Sequence, residues 1–144
     1  LNSIASQQTP FASRGDNSGT HKAERELWKI SGIDTSKGTK MWYLETGSGM
    51  GATLNIAVGK AAYVLSDRAT WIKFANKQDF KIHVQGDKRL FNQYGITLIN
   101  PIKCPNVKSK AGQKFVRWLL SDKGQSSIES YTVGGNQLFF PNAQ

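Results

Sequence analysis

The sequence predicts an α/β fold, on three observations. Short apolar runs alternate along the chain with helix-like runs. Twice, an apolar run leads through a Gly/Ser-rich turn directly into a helical stretch. No internal repeat, low-complexity run or Pro/Ser-rich linker breaks the alternation. At 144 residues the chain has room for one ordinary domain, or for parts of two small ones.

The elements follow in order. "TPFAS" (9–13) is apolar at its middle and reads as a brief strand. "SRGDNSGT" (13–20) is the turn after it. "HKAERELWKISG" carries Ala23, Leu27 and Ile30 at i, i+4 and i+7, one stripe of a helix, with Gly32 as its stop. "MWYL" (41–44) reads as a buried strand, and "GSGMG" (47–51) is the second Gly/Ser turn. It opens a short apolar helix with Leu54 and Val58 on one stripe and Gly59 at its end. "AAYVLS" (61–66) is a strand and "ATWIKFANK" a short helix. "DFKIHVQG" alternates as a strand, with Ile82 and Val84 on one face, and "YGITLINP" is a further strand closed by Pro101. "KSKAGQKFVRWLLSDKGQ" sets Ala111, Phe115 and Leu119 at i, i+4 and i+8, with Val116 and Leu120 beside them, which makes an amphipathic helix. "SDKGQSSIESY" is a second short helix capped by Ser121, and "GGNQLFFPNAQ" a loop with an apolar anchor.

Hydrophobic residues make up 38% of the chain, and four Trp, four Tyr and seven Phe supply large buried area for a core. Nineteen Lys and Arg against ten Asp and Glu give a net charge of +9. Such an excess suits an anionic partner, whether nucleic acid, an acidic surface or a small anion, and equally serves solubility. The lysines are scattered, with no dense patch and no aromatic–basic signature, which weighs against a nucleic-acid-binding module. The single cysteine, Cys104, makes neither an intrachain disulfide nor a zinc cluster and reads as a structural thiol. No stretch approaches the ~20 apolar residues of a membrane-spanning helix. The opening "LNSIASQQTPF" has neither a basic nor an apolar leader region, so the chain is expected to be a processed product or a fragment.

Chemistry concentrates in the first turn. The first amides of a helix lack intrahelical acceptors and carry about half a positive charge between them. Gly19 lets an anion approach that backbone, Ser18 and Thr20 add hydroxyl donors, and Arg14 can fork onto two oxygens of the same anion. Asp16 is expected to hold the Arg14 guanidinium or to cap the turn. The sum is a site for a tetrahedral oxyanion built on Arg14, Ser18, Gly19 and Thr20, with Ser13 at its edge. A plainer reading has Ser18 or Thr20 only capping the helix. In the second turn, Ser48, Gly49, Met50 and Gly51 can aim further amides into the same cleft, or form a glycine-rich connection and no more. No G-K-[ST] follows, so this is not a P-loop. Asp67 and Arg68 mark a third strand-to-helix junction, either as an ion pair with Thr70 starting the helix or as cleft lining. His21 either approaches a bound anion or faces solvent. "RGD" (14–16), read as an adhesion tripeptide, is set aside because it lies inside a better-explained motif. No metal-ligand spacing and no nucleophile elbow is present, so no catalytic residue, metal or cofactor is expected. A phosphoryl- or sulfuryl-handling enzyme on the same site would have to use His21 or Asp16 as its base.

"PFASRGDNSGTHKAERELWKISGI", "WYLETGSGMGATLNIA", "AYVLSDRATW", "LFNQYGITLINP" and "FVRWLLSDKGQSSIESY" together resemble the tungstate-binding periplasmic receptor family, the substrate-binding proteins of an ABC importer. The resemblance runs in order from about residue 9 to 141. The spacing of Arg14, Ser18, Gly19 and Thr20 is also similar to that of phosphate-binding receptors. The resemblance implies a type II periplasmic binding fold, two three-layer αβα lobes joined by crossing strands that close on the anion. It implies a non-enzymatic function: high-affinity binding of tungstate, or molybdate, outside the cytoplasm, in the periplasm or at the cell surface. A membrane permease is the implied partner, with no nucleic acid; a phosphate or sulfate receptor is the alternative within the class. Arg14, Ser18, Gly19 and Thr20 would be the second lobe's share of the ligand shell. Residues 1–95 would be that lobe. The strand around 96–100 would be the return crossing, and 96–144 as a whole would belong to the first lobe. The Thr/Ser-rich loop that opens the family's pattern has no counterpart here, which leaves Phe115, Trp118 and Leu119 uncovered and predicts self-association.

Overall fold

The computed structural model describes residues 1–39 and 41–143, arranged as two compact units, Leu1–Phe91 and Asn92–Gln144. The first unit is built on a three-stranded parallel sheet in the order β2-β1-β3. Its strands are β1 (Phe11–Ser13), β2 (Tyr43–Glu45) and β3 (Tyr63–Val64). Phe11, Ala12 and Ser13 lie opposite Tyr43, Leu44 and Glu45, and Phe11 and Ala12 lie opposite Tyr63 and Val64. A short helix α1 (Asn2–Ser6) precedes the sheet, α2 (Gly19–Ile30) links β1 to β2, α3 (Met50–Gly59) links β2 to β3, and α4 (Arg68–Lys73) follows.

Successive residues of a strand point to opposite faces. Phe11 packs with Trp28 of α2, Trp42 and Tyr43. Its neighbour Ala12 packs with Ala57 of α3 and Ala62. The two crossover helices therefore cover opposite faces of one sheet, which is the three-layer arrangement. On the α2 face the core is aromatic. The Phe11 and Trp28 rings meet edge to face at 5.0 Å, Trp28 and Trp42 at 5.5 Å, and Phe11 stacks on Tyr43 at 6.1 Å. On the α3 face Met50, Leu54 and Val58 pack with Phe74, just beyond α4.

The inward stripe of α2 differs from the expected one. Ala23, Leu27 and Ile30 are not its buried face; His21, Glu24 and Trp28 are. Trp28 brings more area than any aliphatic residue on the helix, and its indole N–H donates to Glu24 Oε1 at 3.0 Å, so the carboxylate can accompany it inside. The α3 stripe, Leu54 and Val58, is buried as expected.

The second unit holds α5 (Ser109–Leu119), α6 (Asp122–Glu129) and a hairpin of β4 (Thr132–Val133) and β5 (Asn136–Gln137). Both helices lie where the periodicity puts them, and Ser121 Oγ accepts the Gly124 amide as the α6 cap. The start of the tail is a hairpin and not a loop. Gly134 and Gly135, both left-handed at φ 56° and 75°, form the tight turn that its strands require. Leu138 is the buried anchor. The strands expected at "DFKIHVQG" and at "YGITLINP", including the crossing near 96–100, are absent among the described residues. A strand persists where a neighbour satisfies its backbone, and no described segment pairs with either run.

Candidate functional site

The site grows from the carboxyl ends of β1 and β2, which are adjacent in the sheet and each run through a turn into a helix. In open α/β sheets this edge is where ligands bind. After Ser13 the chain must reverse within five residues to start α2. Gly15 makes this possible at φ 61°, with its α-carbon so close to β2 that a Cβ there would stand 2.9 Å from Glu45 Cβ. Asn17 is also left-handed, at φ 59°.

Polar bonds within the turn hold its shape. Arg14 donates through Nε to Asp16 Oδ2 at 3.1 Å and through Nη2 to the same oxygen at 2.5 Å. Asp16 Oδ1 accepts the Ser18 amide at 3.2 Å. Hydrogen bonding from the Ser18 hydroxyl, then from Arg14 and the Ser18 amide, lowers the Asp16 carboxyl from its ordinary 3.8 to about 2. Ser18 Oγ caps α2 by accepting the His21 amide at 3.3 Å, and His21 Nδ1 accepts the Asn17 amide at 3.0 Å. These bonds occupy the amides of Asn17, Ser18 and His21. Among the described residues no acceptor is recorded for the Gly19 and Thr20 amides, the Thr20 hydroxyl, or Arg14 Nη1.

The second turn is laced to the first. The Thr46 amide donates to the Ser13 carbonyl at 2.9 Å, and the Ser48 amide to the Arg14 carbonyl at 3.2 Å. The Thr46 hydroxyl lies 2.9 Å from that of Thr53 and also donates to the Arg14 carbonyl at 3.3 Å. Gly49 caps α3 with no side chain, so the amides of Met50, Gly51 and Ala52 open the helix without a recorded acceptor among the described residues. Two helix N-termini thus lie beside one arginine. At the third turn, Asp67 accepts from both the Thr70 amide and hydroxyl, each at 2.8 Å, which is the helix-starting role.

Behind the first turn lies a buried polar cluster. Tyr43 Oη lies 2.7 Å from Glu24 Oε1 and 3.1 Å from Ser13 Oγ. Burial raises the Glu24 carboxyl above its ordinary value, against the donors Tyr43, Ser13 and Trp28. Burial likewise raises the Tyr43 phenol.

The structure therefore sorts the candidate residues. Arg14, Gly19, Thr20, Gly49, Met50 and Gly51 are brought to one edge with donors free. Ser18 lies there too, but its amide and hydroxyl serve the turn. Ser13 is fully buried with its hydroxyl in the Tyr43 cluster. Both Ser48 donors are internal, the hydroxyl going to the Thr46 carbonyl at 3.0 Å. His21 neither faces solvent nor offers its ring at the surface; it is 4% exposed. The sequence did not point to Asn17, Glu24, Tyr43, Thr46, Ala52 and Thr53 as participants, because their parts depend on neighbours far along the chain or on backbone conformation.

Comparison with known proteins agrees with this architecture. The chain matches the PBP superfamily domain over residues 2–123. It is 41% identical over 145 residues to the tungstate-binding protein TupA of Peptoclostridium acidaminophilum, covering 99% of this chain and 50% of that protein. The solved TupA of Desulfovibrio alaskensis G20 superposes with a TM-score of 0.79 at 45% identity, over 100% of this chain and 59% of that one. The tungstate ABC transporter structure from Geobacter sulfurreducens gives 0.78 at 39% identity, over 91% and 54%. The chain spans about half the length of the curated relatives it matches. With the match running through the sheet, both laced turns and α5, the chain belongs to the PBP superfamily and carries its α/β type II periplasmic binding architecture.

Proposed function

We propose that this chain supplies one lobe of the ligand shell of an oxyanion receptor serving an ABC importer outside the cytoplasm, with tungstate as the ligand and molybdate as the second candidate. The observation that carries the reading is the pair of laced turns, which put the free amides of α2 and α3 beside Arg14. Gly19, Thr20, Met50 and Gly51 donate from the backbone, Thr20 adds its hydroxyl, and Arg14 supplies the charge. A fully deprotonated dianion needs donors only, and the neighbouring carboxylates, Asp16 and Asp67, are already held by donors of their own turns. The reading is binding without turnover: Asp16 is held in an ion pair and His21 accepts from Asn17, so neither stands ready as a base. Residues 1–95 form the second lobe in this reading, and 96–144 return to the first, whose front half completes the shell and meets the permease.

The test is calorimetric titration with tungstate, molybdate, sulfate and phosphate. It is run on this chain and on the chain joined to the front half of a tungstate-binding relative. Tungstate is expected to bind the joined protein tightest. Equal heats for all four anions, or none, would refute the reading.

A further inference from the structure

The polar bonds of the first turn leave one side chain unexplained. His21 is 4% exposed, and its Nε2 is buried with no partner among the described residues. A buried polar nitrogen left unpaired is unfavourable and calls for a reason. The other nitrogen supplies one. Nδ1 accepts the Asn17 amide at 3.0 Å, and a nitrogen that accepts carries no proton. His21 is therefore the neutral tautomer with its hydrogen on Nε2. Asn17 stands at φ 59°, a region that L-residues other than Gly enter at a cost. Its side chain makes no bond within the turn among the described residues, so its backbone is held by the Asp16–Ser18 bond that spans it and by the His21 ring that takes its own amide. Asn17 immediately precedes the cap Ser18, and the conformation at Asn17 sets the direction in which Gly19 and Thr20 leave the turn.

We infer that His21 is a positioning residue for the anion site: through Nδ1 it pins the Asn17 amide, and so aims the free amides of Gly19 and Thr20. This rests on the reading of that turn as an oxyanion site. The imidazole touches no ligand in this role. An Asn side chain places its Oδ1 where the imidazole places Nδ1, so His21→Asn keeps the acceptor, whereas His21→Leu keeps bulk and loses it. Asn17→Gly removes the need for a pin, because glycine is at ease in the left-handed region.

Two measurements test it. Long-range 1H–15N spectra of the intact chain at neutral pH should show Nδ1 unprotonated, Nε2 protonated, and a coupling from the Asn17 amide across the hydrogen bond to Nδ1. The opposite tautomer, or an imidazolium, overturns the inference, and this arm needs neither a variant nor an anion. Titration of the joined protein with tungstate should then find His21→Asn close to the parent and His21→Leu weakened about tenfold or more, the scale of one lost positioning hydrogen bond. Adding Asn17→Gly to His21→Leu should recover most of the loss. Parent-like affinity in His21→Leu, or equal loss in His21→Asn, overturns it. If the joined protein with the parent residues takes up no tungstate, the oxyanion reading is what fails, and the spectra still decide the part played by His21.

Discussion

Arg14 divides its donors between the protein and whatever lies at the strand ends. Nε and Nη2 hold Asp16, and Nη1 has no partner among the described residues, so the guanidinium is oriented before any anion arrives. Removing it takes away a charged donor and also releases Asp16. Arg14→Ala should weaken tungstate binding roughly tenfold to a hundredfold by calorimetry, the range of a charge-assisted hydrogen bond. Arg14→Lys should recover little, since an ammonium cannot grip Asp16 through two nitrogens and still face outward. Glu24 makes a second residue-scale prediction. Its carboxyl is raised in the folded chain, chiefly by burial, from an ordinary 4.5. The folded state then holds the proton more firmly than the unfolded one. Stability is full below 4.5 and falls as pH rises through the raised value. Glu24→Gln keeps an acceptor for Tyr43 and Trp28 but does not titrate. Its melting temperature should decline less than the parent's as pH rises above 4.5. That Arg14, Gly19 and Thr20 share one turn was legible in the sequence, because they lie close together between an apolar run and a helical one. The inward hydroxyls of Ser13 and Ser48 were not, because the pairing of β1 with β2 brings Ser13 to the Tyr43 hydroxyl and the conformation of the second turn folds Ser48 onto the Thr46 carbonyl.

Among the elements, α3 was the easiest to read and α2 the hardest. The α3 helix is apolar along most of its length, and Leu54 and Val58, four residues apart, fall on its buried face with Met50, Thr53 and Ala57. Leu54 is fully buried there. Leu54→Ala should cost about 2–5 kcal/mol in chemical denaturation, while Ile56→Ala, on the outer side of the same helix at 38% exposure, should cost no more than about 0.5 kcal/mol. The buried face of α2 contains His21 and Glu24, which hydropathy scores as outward, and only their partners Asn17, Tyr43 and Trp28 explain why they are inside. The two missing strands teach the same lesson from the other direction. "DFKIHVQG" has the alternation of a strand, but a strand is a relation between two segments, and alternation describes one.

At the scale of the whole molecule, the sheet, its three apolar clusters and both laced turns lie within the unit Leu1–Phe91. The α5 helix lies in the other unit and exposes apolar rings, Phe115 at 55% and Trp118 at 42%, stacked at 6.1 Å. A surface of that kind favours association. The full chain is expected to sediment above the monomer in analytical ultracentrifugation, and a fragment of residues 1–91 is expected to stay monomeric and to melt in one cooperative step. A monomeric full chain would remove α5 as an adhesive face, and a fragment without a melting transition would show that the sheet depends on the second unit.

The bonds from Thr46 to the Ser13 carbonyl and from Ser48 to the Arg14 carbonyl carry one more consequence. The second turn closes on oxygen atoms belonging to the first, as fingertips hook over a ledge. Neither can fray while the other stays shut, so isotope exchange at those two amides should report a single shared opening, slowed in step when the clasp is filled.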